Sequence, residues 1–197
     1  MGRESPKRDE GAGEEGGRSD KERYVESVQN GDKPGASIHA GDVAQEDLHK
    51  WKSAGFEVLL SEQMQEYQIA RKGKFQELIK NTDITRLLDL SGMADKLPPL
   101  ISQMQDMSIA EALKFLTEYP RTNNTALGVE NVEQMEVAIL EGIAFGYKPC
   151  DIEYYVNIRY LGKEGYAEEL GKEFSNQTTG AILCKDCASR EIREQSV

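Results

Sequence analysis

Residues 152–160 read IEYYVNIRY, and this stretch decides whether the chain is entirely helical or contains a sheet. Its apolar and aromatic residues alternate with other residues as in a strand, and tyrosine, valine and isoleucine favour β structure. A helix fits as well, because Pro149 and Asp151 are good helix-start residues and Gly162 could close it. No other segment stands out as a partner strand, and unpaired backbone groups are costly. The sequence therefore favours a helix over residues 152–160.

From residue 43 onward, apolar residues recur three and four positions apart, which is the spacing of one helical face. The clearest helix start is Ser108-Ile-Ala-Glu111, a capping box in which serine and glutamate satisfy each other's backbone amides. The other predicted helical stretches are 44–51, 75–79, 84–88, 100–104, 132–143, 167–174 and the stripe Phe56, Leu60, Met64 and Tyr67. This pattern predicts an all-α fold, a compact multi-helix domain.

The two ends of the chain differ from this helical part. Residues 1–42 contain eight glycines, many charges and no Leu, Phe or Trp, so ordering them would not be offset by apolar burial. We therefore predict a disordered acidic arm over 1–42, in which residues 21–30 form a transient helix that folds on a partner. The helical domain then covers 43–175, and 176–197 form an irregular, loosely ordered tail.

The charge balance indicates the class of partner. The chain has 24 Lys and Arg against 35 Asp and Glu, giving a net charge of −11. This charge argues against direct binding of nucleic acid and favours a protein partner with a basic surface. No apolar run is long enough to cross a membrane, and no secretory signal follows Met1. We therefore expect the chain in the cytoplasm or nucleus, with reduced thiols.

Cys184-Lys-Asp-Cys187 is a C-x-x-C pair, the spacing at which two thiolates bind one tetrahedral zinc ion. A complete site needs further ligands, and the candidates are Cys150, His39 and His49. None of these lies in a second paired motif, so the simplest interpretation is two free thiols in a tail, without a cofactor. Zinc bound within one chain, or shared between two copies, is the alternative.

The chain contains no recognised catalytic motif, so the sequence predicts a non-enzymatic adaptor or regulatory subunit whose helical body docks a protein partner. A self-assembling coat or filament subunit, a zinc-stabilised oligomer and an enzyme with an unrecognised site are the alternatives. Tyrosine is enriched at binding surfaces, and five of the eight tyrosines are close together. These candidate partner-binding residues are Tyr147, Tyr154, Tyr155, Tyr160 and Tyr166.

Overall fold

The computed structural model describes residues 20–84, 86–87, 99–120, 132–159, 184 and 186–187. Its elements are α1 (Asp20–Asn30), β1 (Gly35–His39), a 3-10 turn (Ala40–Asp42), α2 (Gln45–Ser53), β2 (Glu57–Ser61), β3 (Glu66–Ala70), α3 (Phe75–Asn81), α4 (Pro99–Met104), α5 (Ile109–Glu118), α6 (Val132–Ala144) and α7 (Pro149–Arg159). The prediction of an all-α fold is wrong. Helices dominate, but the fold is mixed α/β because it contains an antiparallel sheet.

The sheet has the strand order β1-β3-β2, and β2 and β3 form a hairpin. The apolar stripe that predicted a helix over 56–67 belongs to this hairpin. Leu60 and Tyr67 are seven positions apart because they are cross-strand partners on either side of the turn. Met64 lies in that turn and is 45% exposed. A hairpin with this turn length reproduces the spacing of a helical face, which explains the error.

The structure also corrects part of the predicted disordered arm, because residues 20–42 hold α1, β1 and the 3-10 turn. Val28 of α1 is fully buried and Ala36 of β1 is 3% exposed. Gly35 packs so closely on α5 that a Cβ there would lie 2.5 Å from Leu113 Cδ1. The helix predicted for 21–30 thus folds on the chain's own sheet. Residues 1–19 lie outside the described part.

Helices cover both faces of the sheet. On one face, Val25 of α1 and Trp51 of α2 pack with Ile38 and Ile69 in a small core. On the other face, α5 contacts all three strands. A second, larger core joins Ala70 to the buried faces of α3 to α7. The sheet therefore links the N-terminal helices to the helical body that positions the candidate site.

Several predicted helices are confirmed. The stretch that decided the fold class is helical through Arg159, and the start at Pro149 is as expected. Ser108 and Glu111 form the predicted capping box at the start of α5. Gly146 adopts φ +74° at the end of α6. The helix predicted over 167–174 and most of the tail lie outside the described residues.

In the described part of the chain, no helix combines the length and the apolar character that crossing a membrane requires.

Candidate metal centre

The first turn of α7 supplies two adjacent side chains to the site. Pro149 suits this position because the first helical residues need no backbone N–H for the helix. The Asp151 N–H donates to the Lys148 carbonyl at 2.9 Å and so closes the first turn. Cys150 is exposed, whereas Asp151 is only 4% exposed. The turn thus holds a thiol at the surface beside a buried carboxylate.

The C-x-x-C segment packs against this turn. The Cys184 backbone N–H donates to Asp151 Oδ1 at 2.8 Å, a contact between residues 33 positions apart. A hydrogen bond to a carboxylate is stronger than one between neutral groups, so it fixes the segment against α7. Cys187 is 4% exposed, and Asp186 and Cys187 both have helical backbone conformation. Both cysteines of the pair therefore face the start of α7.

The donor atoms of Cys150, Asp151, Cys184 and Cys187 all lie within 4.8 Å of one another. The Sγ atoms of Cys150 and Cys187 are 3.6 Å apart. Zinc–sulfur bonds of about 2.3 Å at tetrahedral angles place two sulfurs about 3.8 Å apart. A disulfide requires about 2.05 Å instead. The sulfur spacing therefore matches two ligands of one tetrahedral ion.

The electrostatics of the cluster also suit a cation. Neighbouring protein atoms partly desolvate the Cys150 sulfur and bury the Cys187 sulfur, which raises the pKa of both thiols, so without a metal they are neutral. Among the described residues, no lysine or arginine forms an ion pair with the buried Asp151 carboxylate. A buried carboxylate is costly unless it is paired or binds a metal. A divalent cation would supply that charge and would hold the thiols as thiolates.

The structure brings together three of the residues considered from the sequence and leaves two apart. Cys150 joins Cys184 and Cys187. His39 Nδ1 instead accepts the Gly41 N–H at 3.2 Å, and His49 is exposed on α2. Neither histidine is part of the cluster.

Sequence reasoning did not identify Asp151 as a metal ligand, although it noted Asp151 as a helix-start residue. Its available signal was that it directly follows a cysteine in the first turn of a helix. An acidic residue is common at that position, because it interacts favourably with the helix dipole. The position therefore did not single out Asp151 as a metal ligand.

Two of the tyrosines predicted to bind a partner, Tyr147 and Tyr154, contribute to the packing of the fold. Tyr154 is 8% exposed, and the Tyr147 ring lies 4.9 Å from Lys33 Nζ. Burial raises the pKa of Tyr147 to about 12 and lowers the pKa of Lys33 to about 8. Tyr155 is half-buried, and Tyr160 and Tyr166 lie outside the described residues. Their role in binding stays a prediction.

Comparisons of the chain with protein-family models, with curated proteins and with solved structures gave no match.

Proposed function

We propose that this chain is a zinc-binding, non-enzymatic protein-interaction module. The observation that carries the proposal is the convergence of three thiols and one carboxylate within 4.8 Å. These donors come from two segments of the chain, the start of α7 and the C-x-x-C pair. The metal would therefore fasten the C-terminal segment to the helical body.

The donor set favours zinc held for a structural purpose. Thiolates select soft or borderline metals, and three sulfurs with one carboxylate oxygen suit tetrahedral zinc. Four protein ligands fill the tetrahedron, whereas catalytic zinc sites keep one position for water or substrate. With Cys150, Asp151, Cys184 and Cys187 all bound, zinc would serve to hold a surface in place. Reduced thiols of this kind fit a cytoplasmic or nuclear protein.

Zinc binding is tested by metal analysis of the purified protein. We expect one zinc ion per chain, and we expect Cys187→Ser to weaken zinc affinity by about 100-fold or more, because outer-shell changes alone cost about 10–100-fold. Affinity is measured by competition with a chromophoric chelator, and circular dichroism checks that the variant folds. His49→Ala is the matched control, since His49 is a potential ligand type outside the cluster. Wild-type protein without zinc after reconstitution would contradict the proposal.

A second observation supports the interaction role. A shallow groove of about 440 Å³ lies between α4 and α5. The half-buried Met107 and Phe115 form its apolar part, and acidic residues outnumber the one basic residue on its rim. The rim charges are Asp106, Glu111, Glu118 and Lys114. The hydrogen bond from the Ser108 backbone N–H lowers the pKa of Glu111, so it remains charged.

We propose that this groove docks a basic amphipathic helix, whose apolar side chains would meet Met107 and Phe115. The acidic rim and the net charge of −11 both favour such a partner. Self-association, as in a coat or filament subunit, would use surfaces that need no basic partner. The groove therefore supports the adaptor proposal over the assembly subunit.

The groove is tested with a synthetic amphipathic helix of leucine and lysine. We expect Asp106→Lys to weaken its binding about fivefold, corresponding to about 1 kcal/mol for exposed charges. Fluorescence anisotropy at low salt gives the affinity. Glu62→Lys, in the exposed β2–β3 turn, changes the net charge equally and should leave binding unchanged. Equal weakening by both variants would show that only overall charge attracts the peptide, and would contradict the groove.

A further inference from the structure

Two thiols of the candidate metal centre are placed for a second reaction. Cys150 is exposed at the start of α7, and its Sγ is 3.6 Å from Cys187 Sγ. A disulfide needs the sulfurs to approach to about 2.05 Å, which is a movement of about 1.5 Å. The two residues are 37 positions apart in the chain. The fold, and not the C-x-x-C spacing, therefore brings them into contact.

We propose that this centre is an oxidative modification site, at which a peroxide links Cys150 to Cys187 and expels the zinc. This inference rests on the proposed zinc binding for its metal-release step. The substrate is hydrogen peroxide. The disulfide then replaces the metal as the link between α7 and the C-terminal segment.

The reaction balances in two steps. The exposed Cys150 sulfur attacks the peroxide O–O bond, gains one oxygen as a sulfenic acid, and releases hydroxide. Cys187 sulfur then attacks the Cys150 sulfur, the S–O bond breaks, and a second hydroxide leaves as the disulfide forms. Two protons from solvent convert the hydroxides to water. In sum, two thiolates are oxidised by two electrons and one hydrogen peroxide is reduced to two waters.

Loss of these two ligands explains the expected release of the metal. Only Cys184 and Asp151 would remain as donors, and two ligands do not complete a tetrahedral site. The Cys184 thiol stays reduced, and its backbone N–H remains bonded to Asp151 Oδ1. Cys184 therefore does not take part in the oxidation, and Cys150 and Cys187 are the two thiols that react.

The competing pairing is the C-x-x-C disulfide between Cys184 and Cys187, which is common in redox motifs. The sequence makes the two pairings distinguishable by trypsin. Cleavage after Lys185 separates the two cysteines of the motif, and Cys150 lies in a third peptide. The three peptides are 122–159, 173–185 and 186–190.

The experiment treats the zinc-loaded full chain with a stoichiometric amount of hydrogen peroxide. Released zinc is followed with 4-(2-pyridylazo)resorcinol, and non-reducing tryptic peptides are identified by mass spectrometry. We expect peptide 122–159 to be linked to 186–190, release of one zinc per disulfide, and reversal by dithiothreitol with added zinc. A dominant link between 173–185 and 186–190, or oxidation without an internal disulfide, would overturn the proposal.

Variants separate this reaction from zinc binding. His49→Ala, which lies outside the cluster, should form the same cross-link as the wild type, whereas Cys150→Ser should not form it. Circular dichroism checks that both variants fold. Release of zinc by peroxide at the wild-type rate from folded Cys150→Ser would contradict the assigned pair. A wild-type chain that binds zinc but forms the other disulfide refutes only the oxidation, whereas a chain that never binds zinc refutes the proposed function.

Discussion

Removing the zinc is expected to increase trypsin cleavage after Lys185 by about 100-fold while leaving the helical body folded. The scissile bond lies between the ligands Cys184 and Cys187, and a protease needs several residues in extended form. Cleavage therefore requires the segment to detach from the metal. At a free zinc concentration about 100 times the Kd, detachment costs about 2.7 kcal/mol more than without metal, which is about 100-fold in rate.

The measurement compares cleavage rates of the zinc-loaded and chelated protein by mass spectrometry. The internal control is cleavage after Lys72, an exposed residue between β3 and α3 that is not part of the cluster. The rate of cleavage after Lys72 should change by less than about twofold. The proposed ligands of the helical body, Cys150 and Asp151, lie at the start of α7 and belong to neither hydrophobic core. Identical rates at Lys185 with and without zinc would rule out the fastening role. Equal acceleration at both positions would mean that the metal holds the whole fold.

Gly146→Ala is expected to destabilise the protein by about 2–5 kcal/mol. Gly146 has φ +74°, a conformation that costs an L residue about 1–2 kcal/mol. In addition, a Cβ there would lie 2.4 Å from Pro34 Cδ, and such overpacking costs about 1–3 kcal/mol. The contact joins the end of α6 to the residue before β1. Denaturant unfolding followed by circular dichroism gives the change in unfolding free energy.

Gly55→Ala is the matched control for the contact with Pro34. Gly55 has φ +88°, but a Cβ there meets no atom within 4 Å. We therefore expect only the backbone cost, about 1–2 kcal/mol. Equal destabilisation by the two substitutions would show that the Pro34 contact contributes nothing.

The helices were predictable where local chemistry determines them. Ser108 and Glu111 specify a helix start by their side chains alone, and Pro149 does so by its missing donor. The helix predicted over residues 152–160 is correct through Arg159, although it rests on the lack of an evident partner strand. That premise is incomplete, since the chain does contain strands.

The sheet was hidden because its strands lack the usual sequence signal. β1 reads GASIH, with one large apolar residue, and its first residue, Gly35, is buried because α5 lies against it. β3 buries Gln68 completely, so a polar residue occupies an inward position. Alternation of apolar and polar residues is therefore weak in both strands. Only the packed neighbours show why these residues are buried.

The candidate site was half predictable. The C-x-x-C spacing identified Cys184 and Cys187, and the scarcity of other thiols made Cys150 a candidate. The sequence could not show that the start of α7 meets a segment 33 residues later, because that contact depends on the tertiary fold. The sequence also did not distinguish Asp151 from the other acidic residues. Local motifs thus revealed two ligands, and the fold supplied the other two.

The sheet order has a consequence for the kinetics of folding. The innermost pair of the β2–β3 hairpin is Ser61 with Glu66, whereas the innermost pair of β1 with β3 is His39 with Glu66. Closing the longer loop costs about 1.5 kcal/mol more in chain entropy. The β2–β3 hairpin can therefore nucleate by itself. Strand β1 joins later, together with α1, the helix that precedes it. The segment that holds α1 and β1 would then be among the last described parts of the chain to reach its native place.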